Sequence, residues 1–204
     1  MYIPEIYKNE NQEEIKNFIH ENGFAILVNQ TNGKLWATHI PLILETNENG
    51  EQQLIGHVSK LNPQAESFTS YDDVLAIFTG AHSYISSSWY DHENVPTWNY
   101  LAVHVYGKVT VLTHEEAVAS LKGLVDKYEV NSENPVRFED LSEKTMREAR
   151  GITGFKITIT SIEAQKKLSQ NRDTKNYQNI ISELEKTNDN QSIAVANEMK
   201  KCPR

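Results

Sequence analysis

An α+β fold built on an antiparallel sheet or small barrel is what this sequence predicts, and three observations predict it. The first is the alternation from Trp98 to Leu112, which puts Leu101, Val103, Val105, Val109 and Val111 on one face. Trp98, Tyr100, Ala102, His104, Tyr106 and Lys108 share the other. The second is a series of short apolar runs separated by turn signals, enough for about six meandering strands. The third is a set of segments with helical spacing between those runs and at the ends of the chain.

Taken in order, Gln12 to Glu21 is the first predicted helix, with Ile15, Phe18 and Ile19 on one stripe and Asn22-Gly23 as its stop. Phe24 to Val28 and Leu35 to Leu44 read as a hairpin across the Asn32-Gly33 turn, with Pro41 demanding an edge or a bulge. Leu54 to Val58 is a strand before the break at Asn62-Pro63, and Val74 to Thr79 is another that ends at Gly80. After the long strand, His114 to Glu129 is helical, Ser142 caps a short helix that reaches Arg150, and Gly154 to Ile162 is the final strand. From Asp173 onward the tail reads as polar and helical, with Tyr177, Ile180, Ile181 and Leu184 as its apolar face.

The chain of 204 residues is long enough to bury a core, and 38% hydrophobic with 24% charged residues is ordinary for a globular domain. No apolar span of membrane length and no signal peptide is visible, which predicts a cytoplasmic protein. Cys202 is the sole cysteine, so neither an internal disulfide nor a cysteine-based metal centre is expected. A formal net charge of −8 disfavours duplex DNA as a partner, because such binding draws its affinity from neutralised phosphates. The mildly basic run Lys166, Lys167, Arg172 and Lys175 is the best local exception.

Between Thr79 and Tyr106 the sequence concentrates two of three Trp, four Tyr and three of seven His around the triplet Ser86, Ser87, Ser88. This reads either as a ligand-facing wall or as an aromatic hairpin whose rings fill core. No glycine-rich phosphate loop and no nucleophile elbow occurs. His82 with the Ser triplet lacks an orienting acid, and His39, His57, His82 and His104 show no close metal-ligand pair. The remaining chemistry is anion binding from strands. His57, Ser59 and Lys60 supply donors at one strand end, and Thr38 and His39 supply two more on the adjacent hairpin.

GHVSKLNPQ at Gly56 to Gln64, GAHSYISSSWY at Gly80 to Tyr90, VPTWNYLAVHVYGKV at Val95 to Val109 and KLSQNR at Lys167 to Arg172 together resemble the PaiB-type family, the FMN-binding negative transcriptional regulators. MYIP, THIPLIL and GFKITI fit the same pattern, so the resemblance covers nearly the whole chain. It implies a mainly antiparallel split β-barrel over residues 1–172, related to the pyridoxamine phosphate oxidase-like flavoproteins, with peripheral helices and a helical C-terminal extension over 173–204. It further implies FMN as cofactor, held near the interface of a homodimer. By that likeness Thr38, His39, His57, Val58, Ser59 and Lys60 bind the cofactor, and Trp89 and Trp98 form aromatic walls. Ser87 stands where relatives usually carry Pro, and Ala164-Gln165 where they carry Gly-Lys. Two functions are compatible with this picture. One is an FMN-binding protein, redox-active and linked to transcriptional regulation. The other is a regulator that acts through DNA or protein partners without flavin, and no catalytic residue is assigned in either.

Overall fold

Antiparallel pairing organises the chain around a seven-stranded sheet. The structure, a computed structural model, describes residues 1–68 and 73–202. Residues 69–72 and 203–204, which belong to the two expected parts 1–172 and 173–204, lie outside that description. The strands are β1 (Phe24–Thr31), β2 (Lys34–Pro41), β3 (Ile43–Thr46), β4 (Gln52–Ser59), β5 (Asp73–Ile85), β6 (Thr97–Val111) and β7 (Ile152–Lys167). Their spatial order is β2-β1-β5-β6-β7-β4-β3. The helices are α1 (Gln12–Glu21), α2 (Pro63–Glu66), α3 (His114–Glu129), α4 (Glu143–Met146), α5 (Thr174–Glu185) and α6 (Asn190–Lys201). None is long and apolar enough to cross a membrane among the described residues.

The chain forms two compact units, with the division falling inside β5, β6 and β7. One unit comprises Ile19–Phe78 and His104–Ile162. In it β1 and β2 form the predicted hairpin, and both turn residues, Asn32 and Gly33, have positive φ. The expected single strand from Leu35 to Leu44 is instead two strands. Pro41 cannot donate to a ladder, so β2 stops there; Leu42 turns inward, its N–H bonded to the Gly23 carbonyl at 2.8 Å, and β3 begins on the opposite end of the strand order. Two edge strands joined by one buried residue require the sheet to curl until its ends approach, and this is the split barrel. Ala25, Leu27, Leu54, Phe78, Val105 and Phe155 fill its interior.

The other unit comprises Met1–Phe18, Thr79–Val103 and Glu163–Arg204. Here β5 does not end at Gly80 as expected but continues to Ile85. The Phe18 ring lies 2.6 Å from where a Cβ at position 80 would stand, so the glycine marks a close approach and not a break. Beyond it Ser83 and Ile85 point inward while His82 and Tyr84 point out, a strand alternation disguised by polar residues. The final strand likewise extends past Ile162 to Lys167, with Ala164 and Gln165 buried. The tail is two helices, α5 capped by Asp173 and α6 capped by Asp189, and its apolar face is core. Tyr177, Ile180, Leu184, Val195 and Met199 pack with Leu168 and Ile85. Each such aliphatic side chain, fully buried, contributes about 1.5–3 kcal/mol of transfer free energy.

Candidate functional site

β4 delivers the residues singled out for anion binding. Its alternation buries Gly56 and Val58 and turns His57 and Ser59 to the opposite face. The Val58 side chain is therefore core packing. The strand ends in a turn in which the Lys60 N–H bonds to the Gly151 carbonyl at 2.8 Å and the Asn62 N–H to the Ser59 carbonyl at 2.9 Å. The Leu61 N–H donates to Ser59 Oγ at 3.2 Å.

The next residue, Asn62, is the N-cap of α2, which opens with Pro63. Its Oδ1 accepts from the Gln64 N–H at 3.0 Å, and its Nδ2 donates to Thr38 Oγ1 on β2 at 2.9 Å. Thr38 thereby joins the turn. His39, one position on, faces the other side of β2, exposed and 6.2 Å from the Phe24 ring. Below the turn, fully buried Gln64 donates to the Leu27 carbonyl at 3.2 Å and to Asn29 Oδ1 at 2.8 Å. Asn29 Nδ2 donates in turn to Ser67 Oγ at 3.0 Å, so the segment 62–67 is moored to β1 by buried polar contacts.

The chemical result is a set of uncommitted donors. Ser59 Oγ and Thr38 Oγ1 each already accept an N–H, which leaves their hydroxyl hydrogens for an outside acceptor. The Lys60 ammonium is exposed and pairs with no carboxylate among the described residues. His57 adds a half-buried imidazole whose Nδ1 is buried without a hydrogen-bond partner among those residues. Burial also holds its pKa below the ordinary imidazole value, so the ring is neutral near pH 7. Two hydroxyl donors, an ammonium and an orphaned ring nitrogen suit a phosphorylated ligand carrying a polar ring or chain.

In the other unit Trp98 is 47% exposed on β6, with the His82 ring stacked on it at 5.9 Å and 29° and the Tyr84 ring edge-on at 6.1 Å. Trp89 packs against the core beneath α5 and α6. The Ser triplet is a local cap: Ser86 Oγ accepts from the Ser88 N–H at 3.2 Å, and the two hydroxyls meet at 2.9 Å. The KLSQNR segment is held by Lys167 Nζ on Thr97 Oγ1 at 2.6 Å, Ser169 Oγ on Asn99 Oδ1 at 3.0 Å and the Arg172 guanidinium 5.0 Å from the Tyr90 ring centre. Ala164 and Gln165 are both buried in β7, and the Ala164 carbonyl accepts the Asn9 N–H at 3.0 Å. No group of three or more His, Cys, Asp or Glu is placed to hold a metal among the described residues.

Asn62 and Gln64 are the residues that reading by chemistry passed over. Their signal was local: Asn before Pro is an N-cap pattern, and a single polar Gln between Pro63 and Ala65 gives no hint of full burial.

Comparison with known proteins agrees with this architecture. The family described as "Putative FMN-binding domain" matches residues 1–161. Protease synthase and sporulation protein PAI 2 of Bacillus subtilis is 46% identical over 186 residues, which cover 91% of this chain and 89% of that protein. Among solved structures, the FAD and heme binding protein from Mycobacterium smegmatis superposes with a TM-score of 0.62 at 14% identity, covering 84% of this chain and 78% of that one. The flavocytochrome Anf3 from Azotobacter vinelandii also reaches 0.62, at 15% identity, over 84% and 75% of the two chains. At these identities the two structures share the fold.

Proposed function

The chain belongs to the PaiB-type family of FMN-binding domains, and from that premise we propose that the turn closing β4 is its phosphate cradle. Thr38, Ser59 and Lys60 hold the phosphate, and His57 offers its buried Nδ1 to a polar atom of the flavin. Supporting this most directly is the state of the hydroxyls: each accepts one N–H of the protein through a lone pair and still has its hydrogen to give. A phosphate near two negative charges is an acceptor for each, and the exposed ammonium adds a charge-assisted contact. Bound FMN supplies electron-transfer chemistry; the protein supplies binding, orientation and charge.

The same reading takes the chain as a cytoplasmic homodimer with a regulatory role, as the relative named for protease synthesis and sporulation suggests. A second copy is supported by the apolar side chains of the β1–β2 hairpin, where Leu35 is 82% exposed on the edge strand β2 and Phe24 65% exposed at the start of β1. The net charge of −8 favours protein over DNA as the regulatory partner.

Titration of purified protein with FMN tests the reading. A saturable change in flavin fluorescence is expected, stronger for FMN than for riboflavin, with sedimentation at the mass of a dimer. Flavin fluorescence that stays flat throughout would overturn it.

A further inference from the structure

We infer that Asn62 is a positioning residue that aims the Thr38 hydroxyl and thereby makes the site select phosphorylated over unphosphorylated flavin; the inference rests on the FMN reading above. A carboxamide has one accepting and one donating end. The accepting end, Oδ1, is consumed by the Gln64 N–H at the start of α2, at 3.0 Å. The donating end, Nδ2, must then face Thr38 Oγ1, which it does at 2.9 Å. An amide nitrogen has no lone pair to receive a proton, so Thr38 can only accept from Asn62, and its own hydrogen is sent elsewhere. Left alone, a strand threonine can turn that hydrogen to a nearby backbone carbonyl. The contact from Asn62 removes one of its lone-pair directions and biases the rotor outward.

Asn62 is itself fixed. Its backbone N–H bonds to the Ser59 carbonyl at 2.9 Å, and Gln64 beside it is fully buried in the polar contacts to β1. One residue therefore ties together the two strands that carry the hydroxyls, β2 through its side chain and β4 through its backbone. It makes this tie without adding charge, which a carboxylate in its place would do.

Two substitutions separate capping from aiming. Asn62→Asp and Asn62→Ser both keep a good N-cap, so α2 and the fold are retained. Aspartate turns the donor into an acceptor that draws the Thr38 hydrogen inward and sets a negative charge beside the phosphate. Serine is too short to reach Thr38. Dissociation constants for FMN and riboflavin are measured by fluorescence titration on both variants and on wild type. Asn62→Asp is expected to weaken FMN by about tenfold or more while riboflavin changes by less than about twofold, with Asn62→Ser intermediate. In a Thr38→Val background, Asn62→Ser is expected to cost no further FMN affinity. Equal losses for FMN and riboflavin, an unchanged FMN preference in both variants, or a full Asn62→Ser effect without the Thr38 hydroxyl would overturn the inference. A wild-type protein that binds FMN but does not prefer it to riboflavin would do the same, whereas a wild type that takes up no FMN overturns the reading beneath it.

Discussion

The Tyr177 hydroxyl donates to the backbone carbonyl of Met199 at 2.7 Å, from a ring that is itself 2% exposed. This contact joins α5 to the last turn of α6, where carbonyls lack helical partners. The Met199 carbonyl also accepts the Cys202 N–H at 3.2 Å, so it is not orphaned when the phenol is removed. Tyr177→Phe should then lower stability by only about 1 kcal/mol, whereas Tyr177→Ala, which empties a ring-sized volume, should cost about 3–5 kcal/mol. Urea unfolding of the two variants checks this. Equal losses would mean that the hydroxyl, not the packing, dominates.

Lys60 lies at the end of β4, exposed, with no carboxylate partner among the described residues. Lys60→Ala should leave the stability of the flavin-free protein within about 0.5 kcal/mol of wild type, as surface changes do. FMN affinity should fall by roughly tenfold at low salt, since a charge-assisted contact to phosphate is lost. The deficit should shrink as salt is raised from about 0.05 to 0.5 M, because an exposed charge is screened. Riboflavin, which carries no phosphate, should not distinguish the two proteins. A salt-independent loss shared by both flavins would assign Lys60 a structural part.

Much of this architecture was legible because its signals are local. Helix α1 follows from its apolar stripe and its Asn22-Gly23 stop, helix α3 from its apolar stripe, and β6 from its period of two. What escaped was decided at a distance. Gly80 looks like a stop in sequence, but the Phe18 ring beside it is what the glycine accommodates. The apolar face of the tail, Tyr177, Ile180, Ile181 and Leu184, could be read from its spacing, but not that it completes a core with Leu168 and Ile85. At the candidate site, Ser59, Lys60 and Thr38 could be chosen by their chemistry. Adjacent residues on one strand could not be told apart, so Thr38, which meets Asn62, and His39, which faces away, read alike. Asn62 and Gln64 were missed because an amide declares its role only through its partners.

Gly107 interrupts the aliphatic face of β6 between Val105 and Val109, both fully buried. A Cβ there would stand 2.4 Å from Ile157 Cγ2 and 2.5 Å from the Thr158 carbonyl oxygen of β7. A side chain can rotate aside, but a backbone carbonyl within a strand cannot. Gly107→Ala should therefore destabilise the protein by about 3 kcal/mol, the upper part of the range for overpacking, although alanine is the smallest possible addition. Thermal unfolding compared with Gly151→Ala, where nothing lies within 4 Å of the added carbon, isolates the clash from the general effect of losing a glycine. Similar melting points for the two variants would contradict it.

The buried imidazole of His57 predicts how stability depends on pH. Burial depresses its pKa in the folded protein below the ordinary value of 6.5. Well above that value the ring is neutral in both folded and unfolded chains, and it contributes no slope. As pH falls through it, the unfolded chain binds a proton that the folded chain still refuses, so the unfolded state gains and stability declines. The decline ends below the depressed folded value, where both states are protonated. His57→Gln removes the titrating group and should flatten this part of the profile. Urea midpoints of wild type and variant, measured from about pH 8 to pH 5, should run parallel at the alkaline end, and towards acid the wild-type midpoint should fall more than the variant's. Parallel profiles would mean that His57 protonates as readily folded as unfolded, and its orphaned Nδ1 would then be open to water and no longer reserved for a ligand.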